Sequence, residues 1–298
     1  NDNTTYLNCT FTVTDNAGNR SSTLDVNSFT IDTTAPSLRQ VTAVPTPDND
    51  STPSYTFSST EAGVITYSGG CGSSSSSATS GDNTVILTQS DNSTALSDTT
   101  YNCTIRVTDN ASNTSSALSV TQFVIDTTGP TVAEVTAVTT PGNDTTPRYI
   151  FSSNEAGTIT YGGSCSSSDN SAAANNNTID FNTLSVATYG DCTIRVTDTA
   201  GNPSNLLIVS SFTIETTPPT VSSVYPTDNQ SGISISSDNI SVTFSESMDN
   251  TSVSTNTDNT TCYGSFQLSS DNFSGCIQMS SSPSSSNSYK TFTIDPSD

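Results

Sequence analysis

The sequence predicts an all-β chain made of antiparallel β-sandwiches arranged in tandem as a linear array. Three observations lead there. Blocks of sequence recur at offsets of 94 and then 89 residues; each block is built from strand-length apolar runs set between turn-forming clusters; and no window carries helical periodicity. Asp32-Thr-Thr-Ala-Pro36 returns as Asp126-Thr-Thr-Gly-Pro130 and as Glu215-Thr-Thr-Pro-Pro219. Cys9, Cys103 and Cys192 each open the run Cys-Thr-(Phe/Ile)-X-Val-Thr-Asp, and Glu61-Ala-Gly63 returns as Glu155-Ala-Gly157. These marks divide the chain into 1–35, the last part of one repeat; 36–129 and 130–218, two whole repeats; and 219–298, a sandwich of a second type.

In the repeat 36–129 the strands are expected at Val41–Val44, Ser54–Phe57, Val64–Tyr67, Thr84–Leu87, Cys103–Val107 and Val120–Ile125. Each is short, rich in β-branched or aromatic residues, and alternates apolar with polar. The segments between them are turn-formers: Pro47–Pro53, Ser68-Gly-Gly70, the serine run Ser73–Ser77, read as a solvated loop or a recognition tip, and Asp109–Asn113. Six or seven such strands in about ninety residues without helices describe a two-sheet sandwich. Arg106 and Arg195 fall at one outward strand position, where each is expected to pack over threonines and pair with an acid. The last segment runs differently, through Val221–Pro226, Ser231–Ile235 and Ile240–Met248. It holds the first five strands of a sandwich and stops before the last two, while 1–35 holds only the last two. Either the sequence is a window onto a longer chain, or the N-terminal strands of one molecule complete the C-terminal sandwich of the next.

Seven cysteines fall onto the repeat. Cys71 is expected to pair with Cys103, Cys165 with Cys192, and Cys262 with Cys276; Cys9 matches Cys103 and Cys192, and its partner is expected upstream. Cys71 closes the third strand and Cys103 opens the strand beside it in an immunoglobulin-like order. The bridge therefore lies within one sheet, unlike the inter-sheet bridge of antibody domains. The shorter spacing from Cys165 to Cys192 is expected to reflect a five-residue deletion in the D–E region, between the fourth strand and the next of an immunoglobulin-like order, where a loop or edge strand can absorb it. Paired cysteines in a polar chain point to an oxidising, extracellular setting.

Composition removes many activities. There is no histidine, so Ser-His-Asp triads, Cys-His pairs and imidazole metal ligands are absent. A formal charge of -22, from 28 acids against six basic residues, repels nucleic acid and anionic membrane surfaces. No apolar run is long enough to span a membrane. The chain is read as having no enzyme activity.

The Asp-Thr-Thr-Ala-Pro linkers, the Asn49-Asp-Ser-Thr-Pro53 loop, Glu-Ala-Gly, and Val13-Thr-Asp-Asn-Ala-Gly-Asn19 resemble the tandem bacterial immunoglobulin-like repeats of large surface adhesins and biofilm-associated proteins. Thr243-Phe-Ser-Glu-Ser-Met-Asp249 resembles the immunoglobulin-like module of surface-layer type proteins. The resemblance implies a stalk or filament segment at a microbial cell surface. Its partners would be other copies of itself or neighbouring repeats, with a surface glycan or protein as a further ligand. The alternatives are a loop-mediated binding module and the accessory region of a larger secreted enzyme.

One site is expected from topology. The loops after Ser54–Phe57 and after Cys103–Val107 lie at the pole where the linker enters, which gathers Asp32, Glu61 and Asp109 at one junction and Asp126, Glu155 and Asp198 at the next. Asp48 and Asp50, from the preceding sandwich, are expected to join the second group. Clustered carboxylates suit Ca²⁺. Asp and Asn in such loops also cap turns, which is the competing reading.

Overall fold

A computed structural model describes residues 4–233, 239–258 and 261–295, and among these every regular element is a β-strand. The chain divides into two compact units, Asn1–Glu215 and Thr216–Asp298. The first unit contains two complete sandwiches, each with its own core.

In the first of them, Ser54–Ser59 lies between Leu38–Thr42 and Gly81–Ile86 in one sheet. Gly63–Ser68 lies between Thr104–Thr108 and Ser77–Ala78 in the other, with Leu118–Ser119 beyond Thr104–Thr108. Alternation along Ser54–Ser59 sends Tyr55, Phe57 and Ser59 inward and leaves Ser54 outside. Tyr55, Phe57, Val85 and Leu87 meet Ile65, Ile105, Val107, Phe123 and Ile125 across the inter-sheet space. Burying side chains of this size stabilises by about 1.5–3 kcal/mol each, which is why a thin, polar-faced sandwich holds. The second sandwich repeats this with Arg148–Ser153 between Val132–Thr136 and Asn175–Asp180, and with Gly157–Gly162 beside Thr193–Thr197.

Cys71–Cys103 and Cys165–Cys192 are disulfides with Cα atoms 5.6 and 5.2 Å apart, each bridging from just past the strand that carries Tyr67 or Tyr161 to just before the neighbouring strand that carries Ile105 or Ile194; Cys71 lies in a short strand of its own, Cys71–Gly72, and does not close Gly63–Ser68. Cys262–Cys276 is the third, at 5.0 Å.

Some sequence expectations are refined. Of the strand read at Val120–Ile125 only Phe123–Ile125 is strand, and a separate strand, Leu118–Ser119, precedes it. Leu118–Ser119 pairs with Thr104–Ile105, and Phe123–Ile125 turns to Thr99–Tyr101, because the backbone N–H of Thr121 leaves the ladder and donates to Gln40 Oε1 at 3.0 Å. The deletion falls in the expected region, in the loop that follows the fourth strand. Leu87 and Phe181 still sit 94 apart, donating to Pro53 and Pro147, whereas Leu96 and Leu184 are 88 apart, donating to Ser51 and Thr145. What is missing from the second repeat is the Gln89–Cys71 rung with the turn at Asp91; the Thr88–Gly72 rung persists as Asn182 N–H donating to the Ser166 carbonyl at 2.8 Å. The serine run is solvated at Ser74, Ser76 and Ser77, as expected, but is anchored at its start. Ser73 is buried, its N–H donates to Asn92 Oδ1, and the carbonyl of Ser75 accepts from Tyr67. Finally, Arg106 donates to the Ser115 carbonyl at 2.7 Å rather than to an acid; the ion pair found among the described residues is Arg148–Asp180.

In the Thr216–Asp298 unit a four-stranded sheet runs in the order Val221–Tyr225, Ile240–Phe244, Thr291–Ile294, Ser284–Ser286. Five strands were expected there; four form this ladder among the described residues, and the run at Ser231–Ile235 extends into 234–238, outside them. Val242, Phe292, Ile294 and Met279 are its buried apolar residues, with Cys276.

Candidate metal centre

The loop after Thr104–Thr108 is a closed unit. Asp109 Oδ1 accepts the backbone N–H groups of Ala111 and Asn113, both at 2.8 Å, and Oδ2 accepts from Asn113 Nδ2 at 2.9 Å. The second N–H of the Asn113 amide donates to the carbonyl oxygen of Asp32 at 3.2 Å and so ties the loop to the linker. Asp198 and Asn202 repeat the arrangement: Oδ1 accepts from Gly201 and Asn202, Oδ2 from Asn202 Nδ2, and Asn202 Nδ2 also reaches the Asp126 carbonyl at 2.7 Å. Asp15 and Asn19 make the same loop in the N-terminal segment. Burial alone would raise the Asp109 carboxyl, but the Asn113 amide and the loop N–H groups outweigh it and hold the group below the usual carboxylate range.

Glu61 enters from the turn between Ser54–Ser59 and Gly63–Ser68. Ser59 Oγ shapes that turn, donating to the Glu61 carbonyl at 2.6 Å; Ser153 does the same for Glu155. The glycine of Glu-Ala-Gly is required by close approach, since a Cβ at Gly63 or Gly157 would strike the carbonyl of Thr108 or Thr197 on the neighbouring strand. The third acid comes from the linker, where Asp32 Oδ1 accepts from Thr34 N–H and Asp126 Oδ1 from Thr128 N–H.

The outcome is two trios, Asp32 with Glu61 and Asp109, and Asp126 with Glu155 and Asp198, each offering three carboxylate oxygens within 4.8 Å of one another. Asp109 is buried and the other five are half-buried. Asp48 and Asp50 are in neither trio. Asp48 Oδ1 caps the N–H of Asp50, and Asp50 Oδ1 takes both donors of Thr52, so both carboxylates turn back into their own loop. Asp48 touches the junction through its main chain only, its carbonyl accepting from Asp126 N–H at 3.0 Å. Gly142 does the same job for Glu215, which shows that no side chain is needed at that position.

The donor set is oxygen alone, with no sulfur or imidazole, which matches a hard cation and not a soft one. Three of the roughly four acceptor positions of the Asp109 carboxylate are taken by N–H groups, leaving about one for an ion. Sequence reasoning missed Asn113 and Asn202. The signal was present, since Asp and Asn stand four apart at 15 and 19, 109 and 113, and 198 and 202.

Elsewhere, an apolar groove of about 560 Å³ in the Thr216–Asp298 unit is lined by Val224, Tyr225, Phe244, Met248 and Phe266 among others, with no carboxylate, thiol or amine. No helix among the described residues is long and apolar enough to cross a membrane.

Residues 215–298 match the bacterial Ig-like domain family. That family thus accounts for the last unit of the chain, and no curated protein matches the sequence. Among solved structures, the chain is similar to the D00-D0 domain of intimin, at 13% identity and a TM-score of 0.30, covering 58% of this chain and 98% of that one. It is also similar to the fibronectin(III)-like modules of CbhA from Clostridium thermocellum, at 12% identity and a TM-score of 0.31, covering 58% and 94%. A tetra-tandem repeat in the extending region of a large adhesion protein aligns at 16% identity and a TM-score of 0.25, covering 96% and 72%.

Proposed function

We propose that this chain is a non-catalytic, extracellular stalk segment of a microbial surface protein, whose sandwiches are locked to their linkers and stiffened there by calcium. One observation carries the reading: the asparagine clamp from loop to linker recurs at both junctions, each time beside three converging carboxylates. A linker held by its own backbone carbonyl has lost the freedom of a flexible tether, which is what a spacer that transmits length or force requires. Three disulfides support an oxidising, extracellular setting for such a chain. The bacterial Ig-like match at 215–298 and the linker and loop motifs of the repeats support the surface setting.

Small-angle scattering of the full chain in about 1 mM calcium, a concentration at which extracellular modules bind the ion, and then in excess chelator tests this. A larger maximum dimension with calcium is expected. The same dimension in both conditions would remove calcium from the account, and a compact particle in both would remove the stalk.

A further inference from the structure

A cleft of about 360 Å³ opens at one sheet edge of the first complete sandwich, beside the Cys71–Cys103 bridge. Its floor is apolar, formed by Ile65, Cys71 and the half-buried Tyr67, and its rim is the exposed trio Ser76, Ser90 and Asn92. The cleft exists because Gly63–Ser68 outruns its edge neighbour, Ser77–Ala78, which pairs only with Gly63 and Val64. Ile65 N–H still reaches the Ser76 carbonyl at 2.9 Å. Tyr67 N–H points the same way along the edge, and none of the described residues accepts from it.

The rim is held in place without using up its polar groups. Tyr67 Oη donates to the Ser75 carbonyl at 2.7 Å, which pins the serine run over the strand. Asn92 keeps a left-handed backbone, φ 63°, in the turn where Asp91 accepts the N–H groups of Ser93 and Thr94. Asn92 Oδ1 accepts from Ser73 N–H at 3.1 Å, while its two amide N–H groups and the hydroxyls of Ser76 and Ser90 have no hydrogen-bond partner among the described residues.

No charged side chain lines the cleft, and the chain's formal charge of -22 opposes an anionic ligand. An apolar floor under a rim of unspent donors suits a neutral ring with one apolar face and several hydroxyls, which both donate and accept. The second repeat is the contrast: it lacks the turn that carries Ser90 and Asn92 and has Asp169 in the place of Ser75. We propose that this cleft binds a neutral pyranose unit of a glycan, a recognition role beyond that of a spacer. The ring's apolar face lies on Tyr67, and its hydroxyls accept from the Asn92 amide and from Tyr67 N–H and exchange hydrogen bonds with Ser90.

The test titrates the methyl glycosides of glucose, galactose, mannose and N-acetylglucosamine, with that of glucuronic acid as the anionic counterpart, into the isotopically labelled full chain and follows amide chemical shifts. At least one neutral glycoside should shift the amides of residues 67–70 and 90–92 with a Kd on the order of 1 mM, and the glucuronic acid glycoside should not. Asn92→Asp keeps the oxygen that Ser73 uses but loses both N–H donors, and should weaken binding about tenfold. Ser90→Trp fills the mouth and should abolish it, with the amides of Thr104–Thr108 and Arg148–Ser153 unmoved in both variants as the folding control. The proposal is overturned if no neutral glycoside shifts those amides, if the anionic glycoside binds as tightly, or if both variants bind as the unmodified chain does. The first two outcomes need no variant, so they decide even where a variant fails to fold.

Discussion

Removing one disulfide should weaken one repeat and leave the next untouched. Replacing Cys71 and Cys103 together by alanine opens a loop of 32 residues in the unfolded chain. The chain-entropy relation gives about 3.7 kcal/mol for a closed loop of that size, and about 3.5 kcal/mol for the 27-residue separation of Cys165–Cys192. Both sulfurs sit in the core cluster, so truncation adds a cavity cost and the figure is a lower bound. Because each complete repeat owns a separate core, the loss should be local. Native-state hydrogen exchange read by mass spectrometry resolves the two. Amides of Ser54–Ser59 and Thr104–Thr108 should exchange at least roughly 400-fold faster in the double variant, from about 1.4 kcal/mol per decade, while those of Arg148–Ser153 and Thr193–Thr197 keep their rates. A change below about tenfold in the middle repeat would refute the entropic account. An equal change in both repeats would refute their independence.

Other outcomes follow from the same geometry. Gly63→Ala or Gly157→Ala should cost about 1–3 kcal/mol in thermal unfolding, because the new methyl group meets a strand carbonyl that cannot move without breaking its ladder. Asn113→Ala removes the donor shared by Asp109 and the Asp32 carbonyl and should cost about 1–2 kcal/mol, with faster exchange at Ala111 and Asn113 than elsewhere in the repeat. Acid should destabilise the chain. Asp98 lies below the usual range because Thr128 and Thr127 donate to it, Asp91 is drawn to about 2 by Thr94 and Ser93, and in Glu134 the Ser210 and Tyr149 donors outweigh burial. Lowered carboxylates contribute fully above their unfolded values near 4 and lose that contribution as pH falls through the folded ones, so denaturant midpoints should hold above about pH 5 and drop steadily towards pH 2.

Much of this could be read from the sequence because duplication shows every pattern twice. Alternation in Ser54-Tyr-Thr-Phe57 and Arg148-Tyr-Ile-Phe151 gives the inward face of the same strand in two settings, and the return of Cys71 and Cys103 as Cys165 and Cys192 marks the two pairs of the repeats. Spacing between cysteines gave the region of the deletion but not its residues, since Cys165 and Cys192 bracket three strands and the shift from 94 to 88 between Phe181 and Leu184 places it. Nor could it reveal that Asp48 and Asp50 cap their own loop, because a carboxylate at a linker and one in an Asx turn look alike until the N–H groups are placed. Asn113 was hidden for the same reason: its role depends on an amide reaching 81 residues back along the chain.

Calcium titration of the full chain by isothermal calorimetry tests the central claim most directly. The account predicts heat for two ions per chain, one for each trio, with one site lost in Asp109→Asn and both in the Asp109→Asn/Asp198→Asn double variant. No heat in the unmodified chain, or unchanged binding in the double variant, would contradict it.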